Sequence, residues 1–463
     1  MASISPAKSP LSVNPLKVSA PLGAALAYLG VEGSVPLFHG SQGCTAFALV
    51  HLVRHFKESI PLQTTAMNEV STILGGADHV EEAIENLRGR ANPKFIGICS
   101  TALTETRGED IAGELRDIRA RRADFADTEI VFAATPDFDG GLETGWAKAV
   151  KAIVETMVPD AGPGARVVEP GRVNVLAGAH LTPADVEELT RIVEAFGLVP
   201  TVLPDLSGSL DGHVVEGWVT TSLGGTRLDA IRTMGRAVHT LAIGESLRPA
   251  AAALEARTGV PFTLFQSVCG LKAVDAFVRT LMELTGRSDA PESLKRDRSR
   301  LVDASLDAHF YLGGLRVAIG ADPDLLFALS TALAGLGAET VAAVTTASAN
   351  PVLRGTPADD VLVGDLGDLE RLAGAQSAQM LITHSHGHRV AERLGLPLVR
   401  VGFPVFDRLG AQDALKAGYR GTRALYYEVA NAVLARTHSP KPEDFGCLTT
   451  EEDAHGRPSP APH

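Results

Sequence analysis

The stretch RVNVLAGAHLTPADVEELTRIVEAFGLVPTVLPDL, Arg172 to Leu206, constrains the fold more than any other. Val173 to Leu176 reads as a short buried strand. Thr182 followed by Pro183 supplies an N-cap and a first-turn proline. Val186, Leu189, Ile192, Val193 and Phe196 then recur at helical spacing, and Gly197 is a natural stop. Val199 to Leu203 is a second strand. A strand, a crossover helix and a second strand make a βαβ unit. Such units build parallel sheets covered by helices on both faces.

The same order recurs. It is read again in Leu315 to Ala347 and in Gln379 to Gly402. Earlier, Lys94–Thr101 and Glu129–Pro136 read as parallel strands separated by the helical GEDIAGELRDIRARR. The fold class expected is therefore α/β, with Rossmann-like units. Val158–Gly171 is rich in Pro and Gly and reads as a linker, and a second break is placed at Ala304–Gly314, after a charged helix. These give expected domains at residues 1–160, 161–305 and 306–440. The remaining 441–463 has few apolar residues and many prolines and reads as a tail.

At 463 residues the chain is too long for one ordinary domain, and 45% hydrophobic content suffices for large cores. A net charge of −13 argues against broad binding to nucleic acid or an anionic membrane. The apolar run SAPLGAALAYLGVEGSVPLF is broken by Pro21, Gly23, Gly30 and Gly33, which suits neither a signal peptide nor a membrane span. The four cysteines, Cys44, Cys99, Cys269 and Cys447, form no CxxC pair. That usage suits a reducing, cytoplasmic compartment.

Few chemical motifs stand out. No GxGxxG opens a helix after a strand, no phosphate loop occurs, and no GxSxG elbow is found. In THSHGHR, His384, His386 and His388 alternate between a strand and a helix. Such a cluster ligates a metal or merely decorates a loop, the second being commoner. Cys99 and Cys269 sit in apolar surroundings and read as small core fillers. Cys44 differs. In HGSQGC it follows glycines that let backbone come close to a bulky group, and thiolate is the ligand of iron–sulfur clusters. By itself the motif fits a structural turn cysteine as well, and more often.

Val18 to Gly76 resembles the N-terminal region of beta-type subunits of the nitrogenase component family. The resemblance is carried by PLGA (Pro21–Ala24), HGSQGC (His39–Cys44), RHF (Arg54–Phe56) and the pair Gly75–Gly76. STALTETRGED (Ser100–Asp110) and TPDFDGG (Thr135–Gly141) continue it, and it runs more loosely through most of the chain. The family implies three Rossmann-like α/β domains.

In that family the catalytic beta subunit gives three cysteines to an eight-iron cluster. Here the position before PLGA is Ser19, and the position in the STTC-like turn is Ala102. Only Cys44 keeps sulfur. Cys99 lies three residues before Ala102, in the strand, and does not fill the gap. The pattern is closest to the beta-type subunits of the scaffold on which the nitrogenase iron–molybdenum cofactor is matured during nitrogen fixation. The resemblance then implies one ligand, Cys44, to a [4Fe-4S] cluster shared with an alpha-type partner, NifE, in an α2β2 heterotetramer. It implies a transiently held cofactor precursor donated by NifB, contact with the nitrogenase iron protein, and no independent catalysis. The other readings are a catalytic nitrogenase beta subunit, a beta-type subunit of a dark-operative protochlorophyllide or chlorin reductase, and a metal-free interaction protein that kept only the fold.

Overall fold

The computed structural model of the chain describes residues 1–6, 12, 14–69, 77–160, 166–214, 217 and 219–437. Gly75, Gly76, residues 161–165 of the expected linker, the expected tail at 441–463 and Cys447 lie outside the described residues.

Strands of two to seven residues alternate with helices, and they assemble into three parallel sheets among the described residues. The first sheet has the order Gln63–Thr64, Ser34–His39, Phe95–Ser100, Glu129–Ala133. The second has Val199–Leu203, Arg172–Leu176, His239–Ile243, Phe262–Phe265. The third has Ser3–Ser5, Asp360–Val363, Glu339–Thr345, Arg316–Ala321, Met380–Thr383, Leu398–Arg400. Ser34–His39 and Phe95–Ser100 are buried along their whole length, as expected for parallel strands covered on both faces. The α/β class expected from the sequence is the class observed.

The strand Ser3–Ser5 does not join the sheet that follows it in sequence. It pairs with Asp360–Val363 at the edge of the third sheet. Around the second expected break, the helix Glu292–Leu312 runs through Ala304, and the chain turns only at Gly313 and Gly314. Among the described residues no helix is long and apolar enough to cross a membrane.

The helix Ala20–Leu29 explains PLGA. All ten of its residues are buried. It lies against the helix Leu142–Met157 almost backbone to backbone. A Cβ on Gly23 would stand 1.9 Å from the Leu142 carbonyl oxygen, and one on Gly145 would stand 1.8 Å from that of Ala20. Only glycine fits at either position. The indole of Trp146, on the second helix, donates to the Ala177 carbonyl at 2.8 Å and ties the first sheet's helices to the second sheet.

In each sheet the chain adds strands on one side of a central strand and then crosses to the other. The reversals fall beside Ser34–His39, Arg172–Leu176 and Arg316–Ala321. In open parallel sheets, ligands bind at the carboxyl ends of the strands at such a reversal. A joint of buried carboxylates holds the three units together near two of these ends. Glu143, on the helix Leu142–Met157, accepts from the Asp324 amide and from Asn350 Nδ2, both at 2.8 Å. Asp324 accepts from the amides of Glu245 and Ser246, both at 3.1 Å, and from Asn350 Nδ2 at 2.9 Å. Burial and the neighbouring carboxylates push Glu143 well above the usual carboxylate range.

Asp322, beside this joint, accepts from Thr346 Oγ1, and burial pushes its carboxyl up to about 6. The folded chain then holds that proton more tightly than the unfolded chain does. Stability attributable to this group falls as pH rises from about 4 to about 6 and stays lower above that. Asp322→Asn removes the penalty. In urea unfolding at pH 8 the variant should be more stable than the wild type by roughly 1–2 kcal/mol, because the side chain keeps some contact with water. At pH 4 the difference should vanish. An equal difference at both pH values would show that the carboxyl ionises freely in the fold.

Candidate functional site

The site begins at the carboxyl end of Ser34–His39. His39 is fully buried. Its Nε2 lies 2.8 Å from Glu109 Oε2 and its Nδ1 lies 3.1 Å from Thr65 Oγ1. Burial lowers its imidazole below the usual range, against the pull of Glu109. Gly40 follows, and a Cβ there would come within 2.4 Å of Thr101 Oγ1. Thr101 in turn donates to the His39 carbonyl at 3.1 Å, and Thr135 Oγ1 donates to the Ser100 carbonyl at 2.8 Å. The segments HGSQGC, STAL and TPDF are thus one hydrogen-bonded assembly at the ends of three adjacent strands.

Cys44 is not in a turn. Ser41 is the N-cap of the helix Gln42–His55, and Cys44 lies in its first turn, exposed, with its Sγ 3.6 Å from Ser41 Oγ. The glycine-rich sequence suggested a loop. The helix forms because the apolar residues Thr45, Ala48 and Leu52 give it one buried stripe. On the opposite side Phe47 is 73% exposed, with Val50 and Val53 also exposed. Cys44 therefore opens an apolar face that none of the described residues covers.

Beside it runs a cleft of about 550 Å³ between the first and third sheets. Cys44, Phe47, His51 and Arg54 line it from one helix, and Lys17 and Ser19 from the preceding segment. Ser19, where the family has a cysteine, is the N-cap of Ala20–Leu29. Ala102, the other departure, is the first residue of the helix Ala102–Arg107. Lys17 donates to the Asp137 carbonyl at 2.7 Å, and the Arg54 guanidinium lies 3.7 Å from the centre of the Phe406 ring. The sequence reading passed over Lys17 and His51. The signal for His51 was its place on the Cys44–Phe47–Arg54 side of the helix, legible only once the helix is known.

His384 and His386 also reach this cleft, but the alternating histidines do not form a metal site. His384 is buried. Its Nε2–H donates to the Leu16 carbonyl at 3.1 Å, while its Nδ1 accepts from the His386 amide at 3.3 Å. Both nitrogens are engaged, and burial holds its imidazole down to about 4. His388 turns away, 3.1 Å from Glu392 on the helix His388–Leu394. Among the described residues no group of three or more His, Cys, Asp or Glu is placed to hold a metal ion. Cys99 is fully buried and burial pushes its thiol well up. Cys269 is also buried and pushed up to about 12. Both thiols are held in the form that does not bind metal.

Among the described residues the chain thus presents one accessible thiol, on an apolar helix face, at the end of a strand that flanks a sheet reversal. The family described as Nitrogenase component 1 type Oxidoreductase matches residues 19–434, and the chain belongs to that family. Within it, the chain is 60% identical to the nitrogenase iron-molybdenum cofactor biosynthesis protein NifN of Rhodobacter capsulatus over the full length of both. It is 54% identical to the protein of the same name from Mesorhizobium japonicum, over 93% of each chain, and 40% identical to that of Klebsiella pneumoniae. Among solved structures, one described as nitrogenase Cp1 at pH 6.5 matches with a TM-score of 0.89 and 30% identity, covering 95% of this chain and 97% of that one. A second Cp1 chain, 14% identical with a TM-score of 0.70, shares the fold.

The burial pattern predicts the reactivity of the thiols. In a Cys447→Ser background, a maleimide should label Cys44 in the native chain within minutes. Cys99 and Cys269 should label only after denaturation, a contrast of roughly a hundredfold or more in rate. Peptide mapping of the labelled chain reads this directly. Native labelling at Cys269 would contradict the packing described.

Proposed function

We propose that this chain is the beta-type subunit of the scaffold on which the nitrogenase iron–molybdenum cofactor is assembled. One observation carries the reading. Among the described residues Cys44 is the one exposed thiol, on an apolar helix face left open by them, while Ser19 and Ala102 stand where the resemblance places cysteines in a cluster-donating subunit. The names of its close relatives support the same role.

The donor set fits a shared [4Fe-4S] cluster and no larger one. Each iron of such a cluster takes one terminal ligand, so a chain offering one thiolate needs a partner that supplies the rest. The exposed face around Phe47 and Val50 suits a partner that covers it, which couples assembly of the complex to cluster retention. In this role Cys44 holds one iron, and the cluster supplies electron transfer when bound. Lys17, Arg54, His51 and His386 line the adjoining cleft. Burial lowers both His51 and His386, so they stay neutral, and Lys17 and Arg54 provide the positive charge near an anionic cluster. The partner is the alpha-type scaffold subunit NifE in an α2β2 heterotetramer. The complex receives an iron–sulfur precursor from NifB and works with the nitrogenase iron protein in the cytoplasm. The precursor is cargo, and no residue of this chain is assigned to it.

The test is anaerobic co-purification with the alpha-type partner, with iron quantitation and electron paramagnetic resonance after dithionite reduction. Wild-type complex should show a [4Fe-4S] signal. Cys44→Ala should lose iron and lose or reshape that signal, while the helix Gln42–His55 and the fold persist. Iron content and signal indifferent to Cys44 would remove the ligand assignment, and a colourless wild-type complex would remove the scaffold role.

A further inference from the structure

A second cavity, of about 390 Å³, lies between the three units and shares no lining residue with the Cys44 cleft. Its walls come from the segment after the strand Arg172–Leu176, from the segment after Leu398–Arg400, and from His55 at the end of the helix Gln42–His55. It therefore stands at strand carboxyl ends beside the second sheet's reversal, where parallel α/β proteins bind ligands. It is far larger than the ~10–15 Å³ that a single water needs.

Its polar lining lacks partners. Lys416 is only 8% exposed, yet its ammonium donates to a single acceptor, the Ala414 carbonyl at 3.2 Å. An ammonium carries three N–H donors, and a buried cation is costly unless it is paired. No carboxylate among the described residues pairs with it. Asp185, behind the lining, accepts instead from the backbone amides of Thr182, Lys416 and Ala417 at 3.1, 2.6 and 2.7 Å. His180 Nδ1 is buried with no hydrogen-bond partner. His55 Nδ1 accepts from the Val405 amide at 2.8 Å, which puts the proton on Nε2, and that N–H has no protein acceptor among the described residues. Burial lowers both imidazoles, His55 to about 3, so the two rings are neutral and Lys416 carries the charge. Arg408 adds a second cation at the exposed side. Glu428 is the one acidic group of the lining; it is exposed, and desolvation raises its carboxyl against the pull of Lys416 and Arg400, while Arg400, also in the lining, is already paired with Asp407 at 2.7 Å.

We propose that this cavity binds a small anion, a carboxylate or an inorganic oxyanion, with Lys416 as its charge partner and His55 Nε2–H as a hydrogen-bond donor to it. The site requires neither the cluster nor Cys44, so it stands or falls apart from the scaffold role.

Isothermal titration of the co-purified complex, with succinate in one arm and inorganic phosphate in the other, tests it. Wild type should bind one of the two saturably, and the arm that responds identifies the anion as carboxylate or oxyanion. Lys416→Met should weaken binding by roughly tenfold or more, the usual effect of losing a charged hydrogen bond. Lys416→Arg should keep most of it. Ala411→Trp, which fills the cavity from its wall and leaves Lys416 in place, should weaken binding as much as Lys416→Met. It decides the matter if the latter does not fold. Saturable binding of neither anion, or binding unchanged in Ala411→Trp, would overturn the proposal.

Discussion

The three sheets are held in one arrangement by the hydrogen bonds that meet at Glu143 and Asp324. Glu143 belongs to the helix that follows the first sheet, Asp324 to the helix that follows Arg316–Ala321, and the amides of Glu245 and Ser246 to the turn after His239–Ile243. Buried carboxylates accept backbone amides strongly, and leaving one unmet in this interior costs more than the bond itself gains. The joint therefore fixes orientation more than it adds stability. Both candidate sites inherit that orientation. The Cys44 cleft needs the third sheet's histidines beside the first sheet's helix, and the Lys416 cavity needs walls from all three units.

The reading of the chain as α/β was legible because its long segments carry two signals at once. In Arg172–Leu206 apolar spacing and capping chemistry agree, and the helix Pro183–Ala195 starts at Thr182 with the reciprocal bonds expected of a capping box. Ser3–Ser5 was illegible, since three residues carry no period, and their partner lies at Asp360–Val363. Cys44 stood out in the sequence, but its setting did not. Glycine and polar residues suggested a loop, and the helix that forms owes its existence to tertiary burial of Thr45, Ala48 and Leu52, which overrides weak propensity. The histidine cluster shows the reverse. Alternation in sequence suggested convergence, but His384 faces inward to the Leu16 carbonyl while His388, on the next helix, faces water and Glu392. The cleft residues Lys17 and His51 come together only through the fold and leave no local signal.

The distribution of thiols fits a division of labour. Cys99 and Cys269 are enclosed where burial favours the protonated form, so neither competes for iron. Of the three described cysteines only Cys44 meets the surface, and it does so at a helix start anchored by Gly40 against Thr101. A single donor confers little affinity by itself. Its worth lies in where it points, and the strand-end assembly of His39, Thr101 and Thr135 aims it.

The pairing of Ser3–Ser5 with Asp360–Val363 has a consequence for how the protein is made. Ser3–Ser5 completes the edge of a sheet whose other strands are synthesised more than three hundred residues after it. At ~5–20 residues per second this strand waits tens of seconds for its neighbour, while the first two sheets have their own strands in hand. The third unit closes last, and with it the outer wall of both cavities. A nascent chain can therefore hold two finished sheets while its interior sites remain open to solvent.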